Sequence, residues 1–119
     1  MTFSENLHRI LQTCEGALAV ALIGRDGIAI ERLAVSIEPD LDIATAQFTD
    51  IAKKLHNANQ ELGAGALREL IERTERYLVV MGSVTEEYFL LMILDAQGSL
   101  GRARYELRKA ASVLHEELV

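Results

Sequence analysis

At 119 residues, half of them hydrophobic and a quarter charged, the chain is sized for a single domain with its own core and is too apolar to be disordered. A net charge of −6, with three Tyr, three Phe and no Trp, argues against the basic, stacking-rich face that nucleic acid requires. Cys14 is alone and cannot form an internal disulfide, and no apolar run approaches the ~20 residues that span a bilayer. The amino-terminal stretch Thr2-Phe3-Ser4-Glu5-Asn6 lacks the basic-then-apolar layout of a signal peptide. The expectation is a soluble, cytoplasmic protein with no membrane insertion and no nucleic-acid partner.

Thr2 and Glu5 have capping-box spacing, and Phe3, Leu7, Ile10, Leu11 and Cys14 recur behind them at helical intervals, with Gly16 placed to end the helix. Ala17 to Ile23 is a compact apolar run. Gly24-Arg25-Asp26-Gly27 follows it, then a second strand-like run from Ile28 to Leu33, which together predict a tight hairpin. The only proline, Pro39, lies in a loop. A long helix is predicted from an N-cap at Asp42 to Leu62, with a core stripe of Ala44, Phe48, Ile51, Ala52, Leu55 and Leu62, stopped by Gly63 and Gly65. Leu67 to Thr74 could extend the helix, but the two glycines before it and the strand after it favour a third strand. Tyr77 to Val84 and Tyr88 to Leu94 read as the fourth and fifth. Ser99 caps a last helix, Leu100 to Leu118, which places Leu100, Ala103, Leu107, Ala110, Ala111, Leu114 and Leu118 on one face. The element order α-β-β-α-β-β-β-α describes one α/β domain over 1–119, a mostly antiparallel five-stranded sheet with flanking helices.

Chemistry-bearing constellations are scarce. His8, His56 and His115 fall in three different helices with no partner at ligand spacing, so no metal is expected and solvated positions suit them. Cys14 lies on an apolar stripe, as a small core residue does. Gly24-Arg25-Asp26-Gly27 lacks the Gly-Lys-Ser/Thr ending of a phosphate loop and precedes a strand, so a hairpin turn accounts for it. Glu86-Glu87 is a polar turn, and Ser36, Ser83 and Ser99 lack a visible base. Neither a cofactor nor a catalytic residue is predicted, and the chain reads as a non-enzyme.

One segment points to self-association. Leu67-Arg68-Glu69-Leu70-Ile71-Glu72-Arg73-Thr74 alternates charges of both signs around a small apolar centre. Two antiparallel copies related by a two-fold at Ile71 would set Glu69 against Arg73 of the partner; a two-fold at Leu70 would set Arg68 against Glu72. Each cross-strand pair contributes roughly 0.2–1 kcal/mol, enough to bias register though not to drive association. The plainer alternative is an edge strand guarded by its charges. The neighbouring helix carries Thr45, Gln47, Asp50, Lys53, Lys54, Asn57, Asn59, Gln60 and Glu61 off its core stripe. Ala44, Ala46, Ala52 and Ala58 would let another helix approach, the alternative being a solvated face.

The runs Ala19-Val20-Ala21-Leu22-Ile23-Gly24-Arg25-Asp26-Gly27-Ile28, Tyr77-Leu78-Val79-Val80-Met81, Tyr88-Phe89-Leu90-Leu91-Met92-Ile93-Leu94 and Leu100-Gly101-Arg102-Ala103-Arg104-Tyr105-Glu106-Leu107 occur in one order. Together they resemble the Roadblock (dynein light chain) family, of the bacterial small-GTPase-regulator type, over nearly the full chain. The resemblance implies a roadblock-like sandwich that homodimerises, or pairs with a similar chain, through its third strands, with the middle helices side by side. Phe48, Ile51, Leu55, Arg68, Glu69, Leu70, Ile71, Glu72 and Arg73 would then lie in the dimer interface. It further implies a scaffold for a Ras-like small GTPase in signalling or cell polarity, contacted through Lys53, Lys54, Asn57, Gln60 and Glu61. The sequence stops at Val119, after the last helix, so the tail-dependent GTPase activation of some polarity regulators is not expected. Rival readings are a dynein-associated light-chain adaptor, a weak enzyme, and a small-molecule-sensing domain. The sensor is disfavoured because the predicted inward positions are nearly all apolar and promise a filled core.

Overall fold

The computed structural model describes residues 2–119. Helix α1 (Phe3–Thr13) starts where Thr2 Oγ1 accepts the Glu5 backbone N–H at 3.1 Å. It ends at Cys14, earlier than the expected Gly16. Gly16, at φ +86°, instead makes the turn into the sheet, where a Cβ would lie 3.4 Å from the Gly98 Cα. Strands β1 (Ala17–Gly24) and β2 (Ala29–Ala34) form the predicted hairpin. Asp26 Oδ1 accepts the Ile28 N–H at 3.0 Å, and Gly27 takes the positive φ of +87° that the turn requires. The turn absorbs Ile28, so β2 starts one residue later than its apolar run and leaves Ile28 exposed.

Helix α2 (Leu41–Leu62) is capped by Asp40, not by Asp42. Asp40 Oδ1 accepts the N–H groups of Asp42 and Ile43 at 2.9 and 3.2 Å, while Asp42 turns sideways to pair with Arg32 of β2. Gly63, at φ +65°, closes the far end by donating to the carbonyls of Asn59 and Gln60. Strand β3 (Glu69–Arg73) is shorter than the 67–74 expected. Strands β4 (Tyr77–Ser83) and β5 (Tyr88–Asp95) and helix α3 (Leu100–Leu118, capped by Ser99) complete the chain.

The strands form one sheet in the order β2-β1-β5-β4-β3, and all four ladders are antiparallel. Alternation along the central strands builds two cores. Val20, Leu22, Val80, Leu90, Met92 and Leu94 meet α1 and α3, whose Leu7, Ile10, Ala103, Leu107, Ala110 and Leu114 are buried. On the other face Ala19, Ala21, Ile23, Val79, Met81, Leu91 and Ile93 meet α2. None of the described helices is long and apolar enough to cross a membrane.

Candidate interaction surface

The α2 side of the sheet is incompletely covered. Of the 22 residues of α2, only Leu41, Thr45 and Thr49 are buried. The stripe expected to form the core is rotated away from the sheet. Ala44, Phe48, Ala52 and Leu55 are half-buried, while Ile51 is 38% and Leu62 79% exposed. Two threonines, Thr45 and Thr49, occupy the inner face, and one of them satisfies its own hydroxyl. Thr49 Oγ1 donates to the Thr45 carbonyl at 2.6 Å, and the Thr49 side chain is the nearest neighbour of a Cβ built at Gly27. At 100° per residue, Ala44, Phe48, Ile51, Leu55 and Leu62 share one flank of α2. Phe48, together with Leu70 of β3 and Tyr77 of β4, packs against the buried cluster on this face of the sheet, and this apolar flank looks toward the β3 edge. Asp42, paired with Arg32, marks the opposite flank as facing β2.

Strand β3 is the free edge on that side. Ser83 N–H donates to the Arg68 carbonyl, so by alternation the N–H and C=O groups of Glu69, Ile71 and Arg73 point off the sheet. Glu69, Ile71 and Arg73 also turn their side chains to the α3 face, while Arg68, Leu70 and Glu72 turn theirs to the α2 face. The Ile71 side chain is 40% exposed. The opposite edge, β2, carries a bulge opposite Leu22/Ile23 that breaks its register, a feature that discourages edge pairing.

The sites named from sequence separate accordingly. Phe48, Ile51 and Leu55 lie together on the flank that faces the β3 edge, and Arg68, Leu70 and Glu72 lie on the same side of the sheet. Lys53, Lys54, Asn57, Gln60 and Glu61 are all exposed on the remaining surface of α2. Glu69 is already engaged: Arg104 Nε and Arg108 Nη2 of α3 donate to its two oxygens at 2.8 Å each. These hydrogen bonds, from Arg104 first and Arg108 second, hold the Glu69 carboxyl down at about 2. Arg73 Nη1 donates to the Ala96 carbonyl at 3.2 Å. Arg68 and Glu72 form no ion pair among the described residues.

Beneath the carboxy-terminal half of α2 the core is not filled as the apolar sequence suggested. An open cleft of about 560 Å³ lies between Ala52, Lys53, His56 and Asn57 of α2, the start of β3, Met81 and Phe89 of the sheet, and Glu86 of the turn between β4 and β5. His56 and His115 both border it, and neither is merely solvated. His56 Nδ1 lies 3.4 Å from Arg25 Nη2, and His115 Nδ1 lies 3.0 Å from the Val84 carbonyl. No group of His, Cys, Asp and Glu among the described residues could hold a metal ion.

The tight α1–α3 joint contains the residue that sequence reasoning missed. Glu106 is 2% exposed and held by Arg9 and Arg102 at 3.2 Å each. Its spacing was a usable signal, since it sits three residues beyond Ala103 and four before Ala110, on the apolar face of α3. Cys14 is buried beside it, and burial above all, then the Glu106 charge, pushes its thiol up in pKa, as suits a core residue rather than a nucleophile.

No family model matches the sequence, and no curated protein matches it. Solved structures do match. A Roadblock/LC7 domain from Streptomyces avermitilis superposes with a TM-score of 0.87 at 14% identity, covering 99% of this chain and 98% of that one. The gliding protein MglB from Thermus thermophilus gives 0.85 at 22% identity, over 94% of this chain and 84% of that one. MglC from Myxococcus xanthus is 35% identical over 99% of this chain and 100% of that one, with a TM-score of 0.70. Sharing its fold with a Roadblock/LC7 domain and more than a third of its residues with a relative aligned end to end, this chain belongs to the Roadblock/LC7 family.

Proposed function

We propose that the protein is a non-catalytic, self-pairing scaffold that binds a Ras-like small GTPase. The observation that carries the self-pairing is the α2–β3 side itself: a 22-residue helix with three buried residues, whose apolar flank looks toward an unpaired, unbulged strand edge. A second copy added across β3 would satisfy the outward backbone groups of Glu69, Ile71 and Arg73 and bring a second α2 against Phe48, Ile51 and Leu55. Arrangement of the charges favours the register centred on Leu70. That register opposes Arg68 and Glu72, which are uncommitted, whereas the register centred on Ile71 would need Glu69 and Arg73, which already have partners. A solved MglB structure described as having a tetrameric arrangement supports self-association as a habit of this fold.

The GTPase reading rests on family membership together with the exposed polar surface of α2, where Lys53, Lys54, Asn57, Gln60 and Glu61 stand clear of the pairing flank. Such a scaffold changes its partner only through differential affinity for the two nucleotide states. The cytoplasm is the compartment where that partner would be met. The test is binding of a Ras-like GTPase from the same organism, loaded in turn with GDP and with a non-hydrolysable GTP analogue, to the wild-type chain and to the Lys53→Glu/Lys54→Glu variant. Tighter binding of one state, lost in the variant, is expected. Equal affinity for both states, or binding indifferent to the variant, contradicts the proposal.

A further inference from the structure

The side of α3 that points away from the sheet carries charges that neither self-pairing nor the GTPase surface uses. Four of the chain's twelve lysines and arginines, Arg102, Arg104, Arg108 and Lys109, fall within eight consecutive residues of a chain whose net charge is −6. Arg9 of α1 reaches the same neighbourhood. Two carboxylates answer these five cations: Glu106 is held by Arg9 and Arg102, and Glu69 by Arg104 and Arg108. Lys109 makes no ion pair among the described residues. The neighbourhood therefore keeps an excess of positive charge on an acidic molecule.

At its centre stands Tyr105, 58% exposed, with the Arg102 guanidinium 5.8 Å and the Lys109 ammonium 5.9 Å from its ring centre. Arg102, Tyr105, Arg108 and Lys109 recur at three- and four-residue spacing, so they form one outward stripe. Helix stability does not call for this pattern. Arginines crowd the amino-terminal part of α3, which has no acidic residue in its first turn, and Glu116 and Glu117 sit near its carboxy-terminal end; both placements oppose the helix dipole. Ion pairing explains Arg102, Arg104 and Arg108. It leaves Lys109 with no carboxylate, only its contact with the Tyr105 ring, and leaves more than half of Tyr105 in solvent.

We infer that this stripe is a docking surface for an acidic segment of a partner protein, whose carboxylates meet Arg102, Arg108 and Lys109 while an apolar side chain covers Tyr105. Charge complementarity selects the occupant, and screening over about 8 Å at physiological salt lets the local excess act despite the acidic remainder. A lipid surface fits less well, because the stripe is one helix wide and the exposed aliphatic side chain that continues it, Val113, stands two turns beyond Tyr105. The stripe lies across the sheet from α2, so its occupant leaves the GTPase surface free, and the two can be tested apart.

The experiment is a fluorescence-anisotropy titration of a short labelled peptide rich in Glu with a single Leu, against the intact chain at two salt concentrations. Saturable binding that weakens with salt is expected. Lys109→Glu should weaken it roughly tenfold, Tyr105→Ala by less, and Lys53→Glu on the opposite face not at all. Absence of binding overturns the inference. So does equal affinity for wild type and Lys109→Glu, a loss seen only with Lys53→Glu, or capture of phosphatidylserine vesicles without capture of the peptide.

Discussion

The two faces of the sheet are finished to different degrees. On one, α1 and α3 interlock over sixteen buried residues, and even the charged Glu106 is sealed in with its arginines. On the other, a helix longer than either of those buries three residues, holds an apolar flank half in water and stands over an open cleft. A face that is complete within one chain reports on stability. A face left incomplete by so long a helix reports on what the chain meets. Mutations should therefore behave differently on the two sides.

The largest effect belongs to the sealed face. Leu114→Ala, at a site with no solvent exposure, should cost about 3 kcal/mol in urea unfolding at any protein concentration. Ile51→Ala should cost little in the isolated protomer and show its effect as a concentration-dependent loss of thermal stability. Equal, concentration-independent losses at the two sites would erase the contrast. Glu106→Gln should follow at about 2 kcal/mol, below the usual cost of breaking a buried pair because both arginines can turn to solvent. A loss near zero would mean that the joint is held by packing alone.

Smaller again is the tie between β3 and α3. Glu69 has its carboxyl lowered from 4.5 to about 2, so the stability that it contributes is present above pH 4.5 and fades as pH falls toward 2. Because the group is partly solvated, about 1 kcal/mol is expected. Glu69→Gln should remove that much at pH 7 and flatten the acid limb of the stability profile. An unchanged limb would show that the two arginines do not discriminate the charged form.

The sealed face was the more legible in the sequence, because its physics is local. Helical spacing placed Leu107, Ala110 and Leu114 inward, strand runs placed β1, β4 and β5, and Asp26-Gly27 specified the hairpin turn. The open face was misread where tertiary fit overrode periodicity. An apolar stripe that would ordinarily face the sheet points partly sideways, and Thr45 and Thr49 take the inner positions, which no hydropathy pattern announces. Asp42 is the cap expected from sequence, yet Asp40 caps the helix and Asp42 is drawn off by Arg32 from another strand. Glu69 and Arg104 are 35 residues apart, and the ion pair that commits Glu69 within its own chain cannot be read from spacing. The cleft was invisible for the same reason: its lining comes from segments far apart in the chain, and periodicity does not give the angle at which the helix crosses the sheet.

The proposed joint between copies at the α2–β3 side is open to a direct check by sedimentation equilibrium at micromolar concentration. A species of twice 13.2 kDa is expected, falling to 13.2 kDa in the Ile71→Asp variant. A wild-type chain that sediments as a 13.2 kDa monomer, or a dimer untouched by Ile71→Asp, would contradict it.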